Sequence, residues 1–131
     1  MKLQMIMPVE SDPSFTSKKA IIDGVAIRRG LKVEFPTEWQ QASLDGEAQS
    51  FNVARGLAEL GSADFIIADL SLERPSCYYE LGLAQSLGKQ VFLVAEEGTT
   101  IHQAAGRSDT RYYRGLEEYR DIIHSIAKQL I

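Results

Sequence analysis

Apolar residues along this chain follow two alternating rhythms. Short, nearly continuous apolar runs at residues 3–7, 31–35, 64–69 and 90–95 predict strands buried on both faces. Pro8 closes the first run and Pro36 the second. Between the runs the apolar positions step by three and four, the helical period. Over residues 15–29 they are Phe15, Ile21, Ile22, Val25, Ala26 and Ile27, with Gly30 as the stop. Residues 37–46, holding Trp39, are polar and predict an irregular loop or a short helical turn. A second helix is expected over 47–60, with Phe51, Ala54, Leu57, Ala58 and Leu60 inward and Gly61 closing it. A third is expected over 76–87, ended by Gly88. Residues 96–109 read as loop and 110–113 as a short fifth strand. Leu116, Tyr119, Ile123, Ile126 and Leu130 then give the last helix its apolar stripe.

Strands alternating with helices about every 30 residues imply right-handed βαβ units and a parallel sheet. The expectation is an α/β fold: a flavodoxin-like three-layer sandwich whose five-stranded parallel sheet has the order 2-1-3-4-5. One domain would span 1–131. Ligands of such open sheets bind beyond the carboxyl ends of the strands, at the switch point between strands 1 and 3. The loops there are 7–14 and 69–75.

The second of those loops feeds a helix with an anomaly. At about 100° per residue, Cys77, Leu81, Leu83, Ala84 and Leu87 share one direction. Glu80 points within a few tens of degrees of it, while Tyr78, Gln85 and Ser86 lie opposite. A carboxylate on an apolar stripe either faces a mouth where ligand or water meets it, or is a structural acid bonded to backbone. Its place near the helix start favours the ionised form that a nucleophile requires. Asp69, at the carboxyl end of the third strand, is expected either to face the crevice or to cap a turn with Ser71. Tyr78 and Tyr79 flank Glu80 and are expected mainly to pack.

Composition narrows the alternatives. With 44% hydrophobic and 24% charged residues the chain is that of an ordinary globular domain. A net charge of −4 without a basic stripe argues against nucleic acid as a partner. Cys77, the single cysteine, excludes an internal disulfide and makes a reducing, cytoplasmic setting the default. It shares the apolar face and reads as a small core residue. No His/Cys spacing suits a metal, no cofactor is implied, and no apolar stretch suits a signal peptide or a membrane span. Neither GxGxxG nor GxxxxGK[ST] is present, and Ser71 lacks a nucleophile elbow. His102 and His124 read as solvated.

The segment ADFIIADLSLERPSCYYELGLAQSLGKQVFLV resembles the signature of the nucleoside 2-deoxyribosyltransferase-like superfamily, which includes nucleotide N-glycosidases. Its usual form is a strand ending in Asp, a short loop, Tyr-Glu-Leu-Gly and a small-residue helix running to Gly-Lys. MIMPVES, the turn Gly30-Leu31-Lys32-Val33 and RYYRGLEEY also resemble family positions, so the likeness runs over nearly the whole chain. It implies cleavage of the N-glycosidic bond of a nucleoside or nucleotide, with Glu80 as nucleophile. Asp69 and Ser71 would border the sugar or phosphate, Met7 and Pro8 would line the pocket, and Arg74 could meet a phosphate. Tyr79 belongs to the same motif and joins the binding set. Such relatives often complete their sites across a homodimer, so a homo-oligomer is expected, with 96–109 as the loop a neighbour would meet.

Two positions depart from the family pattern. Gly56 stands where transferases and nucleotide hydrolases of the family usually carry an acid, and Arg74 where the true transferases carry another, which points away from base exchange. Cys77-Tyr78-Tyr79-Glu80-Leu81 is also similar to the WCxxEL helix of Toll/interleukin-1-receptor-like domains, with Ser76 at the tryptophan position. That likeness implies NAD as an alternative substrate. The missing acid at Gly56 leaves a third reading open, a non-catalytic nucleotide-sensing or interaction module.

Overall fold

The computed structural model describes residues 1–36, 53–102 and 106–130. Among them lie strands β1 (Lys2–Ile6), β2 (Lys32–Glu34), β3 (Phe65–Asp69), β4 (Val91–Glu96) and β5 (Arg111–Tyr113). They form one sheet of order β2-β1-β3-β4-β5. Every pairing is parallel, with Leu3 opposite Phe65, Ile66 opposite Val91 and Val94 opposite Arg111. The helices are α1 (Phe15–Arg29), α2 (Val53–Gly61), α3 (Pro75–Ser86) and α4 (Gly115–Leu130), with a 3₁₀ turn at Arg107–Asp109. The flavodoxin-like order expected from the alternation is the order observed.

Two apolar layers sandwich the sheet, and strand alternation assigns residues to them. Leu3, Met5, Met7, Phe65, Ile67 and Val94 pack with Ile21, Ile22 and Val25 of α1 and Tyr119, Ile123 and Ile126 of α4. On the other face Ile6, Ile66, Ala68, Leu93 and Ala95 pack with Leu60 of α2 and Cys77, Leu81 and Ala84 of α3. Full burial of each large side chain contributes about 1.5–3 kcal/mol, and the centre of the sheet is therefore the most strongly held part. β3 is buried along its whole length, as a central parallel strand must be.

Local chemistry sets the ends. Gly30 adopts φ 68°, where a Cβ is strained, and Leu31 N–H closes α1 on Ala26 O at 2.9 Å. Pro75 opens α3, where its missing N–H costs nothing. Several expectations are corrected. Each strand shifts by a residue or two at its ends, β1 ending at Ile6 and β4 running on to Glu96. Leu87 was expected inside but is 42% exposed, because α3 stops one residue earlier and its cap turns outward. Ile27, on the far side of α1, is also exposed, as are Ala54 and Ala58 of α2. Tyr78, expected on the outer side, is half-buried against the Cys77 layer. The loop expected at 37–46 and the start of the second helix at 47–52 lie outside the described residues. No helix among those described is long and apolar enough to cross a membrane.

Candidate active site

The loops at the carboxyl edge converge on one buried ammonium. Lys18, in the first turns of α1, is 3% exposed. Its Nζ donates to Asp12 Oδ2 at 2.8 Å, Asp69 Oδ2 at 3.1 Å and the Tyr113 hydroxyl at 2.7 Å. Three donors meet three acceptors, the full capacity of an ammonium. The rings of Tyr113 and Tyr119 lie 5.1 and 5.4 Å from it, a range in which ring quadrupoles attract a cation. Asp69, which alternation points to the α1 and α4 side, is itself saturated. Its Oδ1 accepts from the Ser71 amide at 3.0 Å and the Ser71 hydroxyl at 2.6 Å. Its Oδ2 accepts from Lys18 and from Tyr113 at 2.9 Å. Ser71 Oγ lies 2.8 Å from the Tyr113 hydroxyl and accepts from the Glu96 amide at 2.8 Å, which brings in the end of β4.

Burial works against the Lys18 charge, but the Asp69 charge and the bonds to Asp12 and Tyr113 outweigh it and hold the ammonium above the ordinary lysine range. Burial, reinforced by Asp69, pushes the Tyr113 hydroxyl up despite its bonds to Lys18 and Ser71. Tyr119 is raised as well, again first by burial, and its hydroxyl has no hydrogen-bond partner among the described residues.

Glu80 comes from the opposite layer. It lies on the inner face of α3 with Ser76, Cys77, Leu81 and Ala84 and is 8% exposed. The helix begins at Pro75, so Glu80 is in its second turn, beyond the reach of the strongest helix-terminal charge. The loop that delivers α3 is stitched separately to the loop after β4. Glu73, the one non-glycine with positive φ (49°) among the described residues, accepts from the Tyr78 hydroxyl at 2.9 Å and meets His102 Nδ1 at 2.6 Å. The His102 bond, more than any other influence, holds the Glu73 carboxyl below its usual range. Burial, then the bond to Glu73, pushes the Tyr78 hydroxyl up to about 12. An open groove of about 550 Å³ runs beside this contact, lined by Ser71, Glu73, Glu96, Thr99 and His102 among others.

The expected site residues thus divide. Asp69 does not face the crevice: it is 0% exposed, and the turn with Ser71 is formed as the capping reading anticipated. Ser71 is half-buried, its hydroxyl already in three contacts. Met7 is sealed in the core and Pro8 is buried at the strand's end. Arg74 caps α3 through its backbone and is half-buried, and Tyr79 is 42% exposed. His102 is exposed as expected yet bonded, and Cys77 is a buried core residue. Lys18, Asp12 and Tyr113 were not singled out from sequence. Lys18 carried the same signal as Glu80, since it lies three, four and seven residues before Ile21, Ile22 and Val25 on the buried stripe. Among the described residues no three acids, histidines or cysteines converge as metal ligands.

No known family profile matches the chain, and no curated protein matches it in sequence. Solved structures do match in shape. A 2-deoxyribosyltransferase from Bacillus psychrosaccharolyticus aligns with a TM-score of 0.60 at 17% identity, over 94% of this chain and 90% of that one. The CMP N-glycosidase BcmB of Clostridium botulinum aligns at 0.59 and 14%, over 94% and 98%. The constitutive lysine decarboxylase of Escherichia coli aligns at 0.53 and 12%, over 98% of this chain but 17% of that much longer one. A fold that also occurs as a small part of a decarboxylase does not by itself identify a reaction. The resemblance to the nucleoside 2-deoxyribosyltransferase-like superfamily, drawn from the Tyr79-Glu80-Leu81-Gly82 segment, is met in the fold that this chain shares with a deoxyribosyltransferase and a CMP N-glycosidase.

Proposed function

We propose that the protein hydrolyses the N-glycosidic bond of a nucleoside or nucleotide, with Glu80 as nucleophile. The observation that supports this reading most is a glutamate, 8% exposed, on the inner face of the helix that follows the switch-point loop. The fold shared with two enzymes named for nucleoside and nucleotide glycosyl chemistry supports it further. In the reaction, a Glu80 carboxylate oxygen bonds to the sugar C1′ while the C1′–N bond breaks. Its electron pair leaves with the base, which takes a proton from solvent. Water then hydrolyses the glycosyl ester and restores the carboxylate. The transition state is cation-like at the sugar, so the same anion stabilises it before bonding to it. Tyr79 and Arg74 would meet the base or a phosphate, whereas Asp69, Ser71, Met7 and Pro8 would support the pocket wall. A homo-oligomer completing the site belongs to the same proposal.

Incubation with deoxynucleosides, nucleoside monophosphates and NAD, with free base followed by chromatography, tests it. Base release by the wild type that disappears in Glu80→Gln, with the far-UV spectrum retained, is the expected result. Release from NAD alone would favour the Toll-like alternative. The buried Gly56, with no side chain to offer an acid, favours a second reading as a nucleotide-binding module without turnover. Calorimetric binding with no product would select that reading and end the catalytic one.

A further inference from the structure

Lys18 is used by nothing in the proposed reaction, yet it is buried and its ammonium makes three hydrogen bonds at the carboxyl edge. Its three partners come from three separate segments: Asp12 from the β1–α1 loop, Asp69 from the end of β3 and Tyr113 from the end of β5. Through Asp69 and Ser71 the connection extends to the Glu96 amide at the end of β4. Asp12 in turn fixes the Ser14 amide through its other oxygen at 2.8 Å. The two loops that flank the switch point therefore hang on one ammonium, and one of them delivers α3 and Glu80.

Stability alone is a poor account of this arrangement. Apolar residues in place of Lys18, Asp12 and Asp69 together would fill the same space without desolvating charges, and buried ion networks commonly lose to apolar replacements of equal volume. What an apolar residue does not supply is direction. Three short bonds from one nitrogen tie the β1–α1 loop, through Asp12, to Asp69 and Tyr113, which are bonded to each other directly.

We propose that Lys18 is a positioning residue: its ammonium fixes the β1–α1 loop against the β3–α3 loop and so sets where a bound sugar lies relative to Glu80. This rests on the Glu80 reading given above. Near-attack geometry is sensitive to displacements of about 1 Å, so loosening one wall lowers turnover more than it weakens binding.

The test compares wild type, Lys18→Met and the double variant Lys18→Met/Asp69→Asn. The double variant avoids leaving two carboxylates facing each other without a cation, and the asparagine oxygen keeps the turn with Ser71. Backbone amide exchange, measured without substrate, reads the clamp directly. Residues 8–14 and 70–74 are expected to exchange about tenfold faster or more in the double variant, with the β3 amides unchanged. With a nucleoside that the wild type cleaves, kcat should fall about tenfold or more while KM moves by less than about threefold. Unchanged exchange at both loops overturns the clamp whatever the chemistry, and a variant with loosened loops that keeps its full kcat overturns the positioning role. A wild type that cleaves nothing overturns the Glu80 reading, and the positioning role falls with it, while the exchange result still distinguishes that failure from absence of the clamp. Glu80→Gln should leave exchange at both loops as in wild type.

Discussion

Replacing Tyr113 by phenylalanine removes one hydroxyl and keeps the ring that packs edge-on against Tyr119 at 4.8 Å. The loss therefore isolates the polar part of the buried network. That hydroxyl accepts from Lys18 at 2.7 Å and donates to Asp69 at 2.9 Å, so the change leaves an ammonium hydrogen and a carboxylate lone pair without their partner. Lys18 and Tyr113 are 3% and 2% exposed, so the vacated partners are shielded from bulk water. Hydrogen bonds to charged groups contribute about 1.5–3 kcal/mol each, and an unsatisfied buried group carries its full desolvation cost. Asp69 keeps three of its four bonds and Lys18 two of its three, so the expected loss is about 2–4 kcal/mol rather than the sum of the extremes. For a chain of this size the urea midpoint should fall by about 1–2 M, and the melting temperature by about 10 °C. Urea unfolding followed by circular dichroism measures it. Tyr112→Phe, at a neighbouring ring that is 44% exposed, should stay within about 0.5 kcal/mol. A Tyr113→Phe protein within that same margin of wild type would refute the network as described.

Two further outcomes are expected. Lys18, Tyr78, Tyr113 and Tyr119 all hold their protons above their ordinary values in the folded chain. The unfolded chain releases those protons near pH ~10, so it binds fewer than the folded state above that point and stability falls as pH rises. Urea midpoints taken from pH 8 to 11.5 should be level at first and then drop, and a level midpoint throughout would contradict the shared direction. Cys77 is fully buried, so a thiol-reactive dye should label the native protein only as fast as it opens, and stoichiometric labelling within the mixing time would show the thiol to be surface-held.

Much of the architecture was legible in the chain because strand and helix periods differ. The first helix was read with both ends right, since Phe15 begins its stripe and Gly30 stops it. Glu80 was legible because a charge on an apolar stripe is conspicuous once the helical angle is drawn. Lys18 sat on a stripe in the same way and was passed over, since a long aliphatic stem lets lysine reach solvent from many positions. Its partners were invisible for a different reason. Asp69 and Tyr113 stand 51 and 95 positions away, and only the assembled strand order brings them to α1. Asp69, expected either to face the crevice or to cap a turn with Ser71, forms that turn and is closed off from the crevice. What seals it is a tyrosine from the far edge of the sheet.

Those separations also bear on the order in which the chain can assemble. The lysine enters its final environment early in the sequence, whereas the last of its three acceptors is the final residue of the last strand. Until β5 has docked beside β4, one ammonium hydrogen at the carboxyl edge has only water for a partner. The polar shell of a residue in the first helix is thus completed by a strand of only three residues.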